Sequence, residues 1–331
     1  MTSVETRFEP ATGLRNGHVM TIAAWGRSRQ YPDLPAPQTT LFRTTDDTQV
    51  RADLYLQPVP STVVTLLGLH GLEGSSESHY MRGLAQQAWR RGWNVVLLNQ
   101  RNCGGTEHLT PWLYHSGLTH DPLMVLQQLV DTHRLPSIVI AGYSLGGNLT
   151  MRLAAEAADH PELPIRAVAA VNPTMDLARC VDAIEWPSNR LYQWNFMRGL
   201  RTRLQRKARL FPDRFDLRPL SRIRTIRAFD DAYTAPMGGF GNAANYYRTA
   251  SALATADAIA VPALVLASED DPFVPADQFR APVLAGNPHV TVRIERHGGH
   301  CAFVARGWSY WAESTVVEWL ARAVGSAPND R

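Results

Sequence analysis

The sequence predicts an α/β protein, a mostly parallel sheet with helices on both faces and a helical insertion between two late strands. Three observations predict it. First, short β-branched or leucine-rich runs alternate with amphipathic stretches from Thr62 to Val171, the rhythm of strands joined by crossover helices. Second, one strand-to-helix junction reads Gly142-Tyr143-Ser144-Leu145-Gly146, a Gly-x-Ser-x-Gly turn of the kind that raises a serine above a sheet. Third, after Asn172-Pro173 the buried-strand pattern lapses until Ala263–Ala267.

The elements follow in order. Residues 1 to about 36, with Pro10, Pro32 and Pro35, read as an irregular arm packed on the domain. Thr39–Arg43 and Gln49–Leu56 flank Thr44-Thr45-Asp46-Asp47 as an antiparallel hairpin. Thr62–Gly68 is a buried strand, and a helix with Met81, Leu84, Ala85 and Ala88 on one face follows, stopping at Gly92. Trp93–Leu98 is the next strand, and Asp121-Pro122 opens a helix as N-cap and N1 proline. Ser137–Ala141 and Ala167–Val171 are strands on either side of the helix that begins after Ser144. Leu191–Leu210 and Ala243–Leu253 are helical; a helix around Asp277–Leu284, the strand Val290–Glu295 and a final helix with Trp311, Val316 and Leu320 inward complete the chain. Residues 1–173 and 256–331 therefore form the core domain, and 174–255 a helical cap.

The bulk numbers narrow the function class. With 331 residues, 45% hydrophobic and 19% charged, the chain can bury a large core and is not disordered. Its first eight residues lack a basic start followed by an apolar core, and no apolar run is long enough to span a bilayer. Cys103, Cys180 and Cys301 are odd in number and far apart, which argues against a disulfide framework and for the cytoplasm. Net charge is +3, yet residues 190–227 hold twelve basic and two acidic side chains, leaving −7 elsewhere. On the Leu191–Leu210 helix, Met197, Leu200, Leu204 and Ala208 share a face, with Arg198, Arg201, Arg203, Arg206 and Arg209 largely elsewhere. A solvated face over a packed cap fits that pattern, as does an interfacial helix touching lipid or another anionic surface. No nucleic-acid module accompanies the basic segment, so nucleic acid is not an expected partner.

The chemistry starts at Ser144. A serine hydroxyl needs a base, and the base a carboxylate to fix its tautomer. Along such sheets the partners follow on loops after later strands, carboxylate before histidine. Ser268-Glu269-Asp270-Asp271-Pro272 and His297-Gly298-Gly299-His300 stand there. His300 is favoured over His297 because two glycines let its loop approach the serine. Asp270 and Asp271 both qualify, and Asp176, after the next strand, is a further alternative acid. An oxyanion hole needs two backbone N–H groups. Leu145 follows the nucleophile, and Leu72 lies in the turn after Thr62–Gly68, where His70-Gly71 lets the backbone pass close; His70 itself reads as structural. Trp186, Tyr192, Trp194 and Phe196 are candidates for an acyl pocket or for cap core. No Cys/His cluster or His-Glu-x-x-His spacing supports a metal, and no cofactor is expected.

Together these residues resemble the YheT-like hydrolases, a branch of the α/β-hydrolase superfamily. The resemblance rests on His70-Gly71-Leu72-Glu73-Gly74-Ser75-Ser76, Arg91-Gly92-Trp93-Asn94, Tyr114-His115-Ser116-Gly117, the Ser144 turn, Asp270-Asp271-Pro272-Phe273 and His297-Gly298-Gly299-His300. Arg227-Ala228-Phe229-Asp230-Asp231 and Tyr246-Tyr247-Arg248 match cap patterns of the group, and the likeness runs from about Phe8 to Leu320. It implies a serine esterase for short- to medium-chain acyl esters with the triad Ser144, Asp271 and His300, Asp271 standing four residues before Pro275 as the acid does in such loops. Alcoholysis by the same acyl-enzyme, making esters as an alcohol acyltransferase, is the alternative, and a non-catalytic ligand-binding protein the remote one. Gln100-Arg101-Asn102-Cys103-Gly104-Gly105 departs from the group's usual Phe-Arg-Gly-Cys-Ser-Gly, so acyl and alcohol preference do not carry over.

Overall fold

A computed structural model describes residues 7–325. Of the first eight residues, on which the absence of a leader was read, residues 1–6 lie outside that range. An eight-stranded sheet runs in the order β1-β2-β4-β3-β5-β6-β7-β8. Its strands are β1 (Gln38–Thr45), β2 (Thr48–Tyr55), β3 (Thr65–Leu69), β4 (Asn94–Asn99), β5 (Ile138–Tyr143), β6 (Ile165–Val171), β7 (Ala263–Ser268) and β8 (Val290–Glu295). Only β2 runs against its neighbours, pairing antiparallel with β1 and β4. The others pair parallel.

Pleating explains why the central strands are apolar throughout. Successive side chains point to opposite faces, and both faces are covered. Ile138 and Ile140 of β5 enter one core with Leu67, Leu69, Val168 and Ala170, while Val139 and Ala141 enter the other with Leu66, Ala167 and Ala169. Helices α2 (His79–Arg90), α3 (His120–His133), α4 (Leu145–Glu156) and α11 (Trp311–Gly325) cover the faces, while α1 (Gly17–Gly26) precedes the sheet. Between β6 and β7 come α5 (Leu177–Ile184), α6 (Arg190–Leu210), α7 (Ile226–Phe229), a π-turn (Asp230–Thr234), α8 (Ala235–Met237) and α9 (Ala243–Ala250), with no strand among the described residues.

The topology marks one place for a site. From β3 the chain crosses to β4 on one side, then returns past β3 to β5 on the other. At such a reversal the loops leaving the carboxyl ends of neighbouring strands part and leave a crevice. The loop after β3 and the turn after β5 meet there.

Several expectations need correction. The arm is not wholly irregular, since residues 17–26 form α1, capped by the Asn16 side chain, which accepts the Val19 N–H. Thr119, not Asp121, is the N-cap of α3. Asp121 instead takes Arg101 in a buried two-point ion pair, at 2.6 and 2.7 Å. The helix expected over Asp277–Leu284 breaks into a 3₁₀ turn (Ala276–Arg280) and the short α10 (Pro282–Ala285), because Pro282 lacks the N–H that would continue it. Arg203 does not face away from the packed side of α6. It is ion-paired to Glu73 at 3.0 Å with only 11% of its side chain exposed.

Candidate active site

Ser144 stands between β5 and α4 with φ 55° and ψ −118°, a strained geometry for a residue with a Cβ. The glycines around it are sterically required. A Cβ on Gly142 would overlap the Gly146 carbonyl, and one on Gly146 would overlap the Leu69 and His70 carbonyls. The reversal leaves the Leu145 N–H at the first turn of α4, where it has no intrahelical acceptor. Opposite, the backbone after β3 passes close enough that a Cβ on Gly71 would lie 3.2 Å from the Ser144 Cβ. Leu72 follows in that turn. Among the described residues neither the Leu72 nor the Leu145 N–H is matched to an acceptor, and both residues line a cavity with Ser144.

The β3 loop is held from several directions. His70 is fully buried, and burial lowers its pKa to about 4. The neutral ring accepts the Gln100 N–H on Nε2 at 3.1 Å and donates from Nδ1 to the Gly71 carbonyl at 2.8 Å, a structural role as expected. Tyr80 Oη accepts the Gly71 N–H, and Tyr114 Oη the Glu73 N–H. Glu73 is itself left-handed at φ 61°; its carboxylate meets Arg203, whose guanidinium lies 5.2 Å over the Tyr114 ring. Helix α6 thus grips the loop that carries Leu72.

The carboxylate and histidine loops lie beside it. His300 Nδ1 is 2.8 Å from Asp271 Oδ2. Asp271 Oδ1 accepts the Phe273 and Val274 N–H groups at 3.0 and 2.9 Å, and Asn172 Nδ2 donates to Oδ2. Burial disfavours charge on the His300 ring, but the Asp271 carboxylate outweighs it and raises the pKa above its ordinary 6.5. Asp270 takes other partners, His297 Nδ1 at 3.3 Å and the Gly299 N–H at 2.9 Å, so it braces the histidine loop. Asp176 caps α5 by accepting the Arg179 N–H. His300 Nε2 faces the Cys301 sulfur at 3.8 Å, and His300 and Ser144 line one cavity. Among the described residues no hydrogen bond yet joins the Ser144 hydroxyl to the ring; such bonds commonly tighten only with substrate in place.

One supporting residue escaped sequence reasoning. Thr21 of α1 accepts the His300 N–H on Oγ1 at 2.8 Å and donates to the Gly17 carbonyl at 2.7 Å. A Cβ on Gly17 would overlap the Asp270 carbonyl, so only glycine admits α1 this close. Nothing in the local pattern of residues 17–26 signals a contact made across 279 positions.

Two cavities meet at Ser144. The first is lined by apolar side chains, among them Leu177, Val181, Ile184, Leu200, Leu204 and Phe229. The second holds His300 together with Trp25, Tyr80, His79 and Asn195. Phe196 borders both, whereas Trp186 and Trp194 are 56% and 59% exposed and line neither. No cluster of His, Cys, Asp and Glu suited to a metal occurs among the described residues.

Residues 64–306 match the family model described as alpha/beta hydrolase fold. The chain belongs to that family, and to the YheT-like branch of it. It is 32% identical over 326 residues to the Escherichia coli (strain K12) protein YheT, named as a candidate esterase, covering 96% of this chain and 94% of that one. It is 29% identical to the medium-chain fatty acid ethyl ester synthase/esterase 2 of Saccharomyces cerevisiae, over 77% of this chain and 61% of that protein. Among solved structures, the Pyrococcus furiosus esterase Pf2001 superposes with a TM-score of 0.59 at 16% identity, over 89% of this chain and 96% of that one, a likeness of fold. The chain is a hydrolase of this superfamily, and no helix of its described residues is long and apolar enough to cross a membrane.

Proposed function

We propose that the protein is a serine carboxylesterase acting on short- to medium-chain acyl esters through an acyl-enzyme. The observation that carries this reading is the joint placement on one cavity wall of a strained Ser144 at a helix N-terminus and of His300, whose ring is backed by the buried Asp271. Ser144 attacks the ester carbonyl while His300 Nε2 takes its proton; the Asp271 carboxylate, bonded to Nδ1, favours the imidazolium that forms. The Leu72 and Leu145 N–H groups hold the oxyanion. His300 returns the proton to the departing alcohol, and water activated by the same ring frees the acid. The apolar cavity suits the acyl chain, and the cavity containing His300 suits the alcohol, since the leaving oxygen must face the acid that protonates it. The helical segment 174–255 acts as a cap that walls the acyl side. Three free, separated cysteines fit a cytoplasmic enzyme.

Turnover of p-nitrophenyl esters of graded chain length, with and without Ser144→Ala, tests the reading. The substitution is expected to lower kcat about 10⁶-fold, and activity surviving it would exclude Ser144 as nucleophile. Alcoholysis of the same acyl-enzyme is the rival fate, in keeping with the dual name of the yeast relative. Ethyl ester formed in added ethanol, measured against free acid, separates the two.

A further inference from the structure

An exposed apolar face adjoins the alcohol-side cavity at Trp25. Of the ten large hydrophobic residues exposed among the described residues, seven are Val19, Ile22, Trp25, Trp186, Leu191, Trp194 and Trp308. Helix α1, Gly-His-Val-Met-Thr-Ile-Ala-Ala-Trp-Gly, carries no acidic or basic side chain except His18. Its inner face (Gly17, Met20, Thr21, Ala24) is buried, and its outer face keeps Val19, Ile22 and Trp25 in solvent. A helix on a water-facing surface ordinarily turns polar residues outward. The start of α6 adjoins it: Tyr192 stacks on His18 at 5.7 Å and meets the Trp25 ring edge-on at 5.5 Å. On α6 the exposed positions after Arg190 include Leu191 and Trp194, 61% and 59% exposed, and from Arg198 they are polar until Leu210 at the far end.

Several exposed cations border this face. Arg15, Arg27, Arg190 and Arg198 are exposed and have no carboxylate partner among the described residues. Arg27 lies 4.3 Å over the Trp308 ring and Arg198 5.1 Å over Trp194, while the neighbouring Glu185 is half-buried. Tryptophans beside arginines around an apolar centre match the boundary between acyl chains and anionic headgroups. Trp25 belongs both to this face and to the cavity that holds Ser144 and His300, so a molecule leaving the surface at this point enters the site directly.

We propose that α1 and the start of α6 form a docking face for an anionic lipid surface, adjoining the mouth of the active site at Trp25. The proposal relies on the ester-hydrolysis reading for what that surface supplies, not for the docking itself. Co-sedimentation of the full chain with phosphatidylglycerol vesicles and with phosphatidylcholine vesicles tests it. Binding to the anionic vesicles, weakened by salt, is expected. Leu191→Glu with Trp194→Glu should lower the bound fraction at least about tenfold while turnover of water-soluble p-nitrophenyl acetate is retained. Arg190→Glu with Arg198→Glu, which leaves the apolar residues in place, should remove the salt-dependent part. Failure to bind anionic vesicles, or binding indifferent to both pairs of substitutions, overturns the proposal. So does self-association abolished by Leu191→Glu with Trp194→Glu when vesicles are not bound, because a second copy then covers the face. Ser144→Ala keeps the two readings apart: docking should survive it, whether or not Ser144 proves to be the nucleophile.

Discussion

The Asp271 carboxylate accepts from the Phe273 and Val274 N–H groups, the Asn172 amide and the His300 ring. These bonds fix the carboxylate in place, and Oδ2 at the ring's Nδ1 holds the imidazole in one tautomer. Asp271→Asn should cost roughly 10⁴ in kcat, whereas Asp270→Asn, which removes only a brace, should cost far less; steady-state kinetics of the two variants decide. The pH profile supplies a second readout. The proposed general-base role needs neutral His300, whose pKa is raised by Asp271. Activity should therefore climb through an acid limb above pH 6.5, and the limb should move down in Asp271→Asn. Thr21→Val removes the acceptor of the His300 N–H without changing side-chain volume much. It should cost about 1–3 kcal/mol of stability and lower kcat more than KM, as chemical denaturation and kinetics would show. The Ser144 turn was legible because strand, two glycines and helix are contiguous. The choice between Asp270 and Asp271 needed resemblance, since adjacent carboxylates differ only in where the folded loops point them. Thr21 left no local trace.

At the scale of elements, α6 shows how a charge pattern can mislead. Its arginines read as lying largely off the packed face, yet Arg203 turns inward, and so does Lys207. Lys207 is fully buried, donates to the Thr110 and Glu107 carbonyls, and has rings of Phe211 and Phe215 at 4.6 and 5.6 Å. Periodicity assigns a face but not the depth of the neighbour that covers it, and here the loop around residues 107–110 covers the basic side. Burial lowers the Lys207 pKa from 10.5 to about 7. Between those values the unfolded chain holds a proton that the folded one lacks, so this group makes stability rise with pH from about 7 to 10. Lys207→Met should flatten that rise in urea titrations across the range. The motifs at 227–231 and 246–248 become intelligible at the same scale. Tyr247 donates to Asp230 at 2.7 Å, and Asp231 accepts the Ala243 N–H at 2.8 Å, so these patterns tie the helices between β6 and β7 together.

Across the whole molecule, a mostly parallel sheet covered on both faces was readable because apolar runs of strand length alternate with helical stretches. The fastening of the first segment was not, since it depends on contacts far apart in sequence. Arg29 makes a two-point ion pair with Glu313 of α11, both bonds 2.7 Å, in a nearly dry setting. Burial pushes the Glu313 carboxyl up to about 7 even with Arg29 beside it. Removing the cation strands that carboxylate, so Arg29→Ala should destabilise the fold by about 3–5 kcal/mol, visible as a lower Tm. The bond from Thr21 to His300 has a temporal consequence. A ribosome delivers residues 21 and 144 well before residue 300, so on the proposed reading a nascent chain carries Ser144 long before His300 can be seated. On that reading ester cleavage awaits the final stretch of translation, and a chain released short of that loop leaves the ribosome inert.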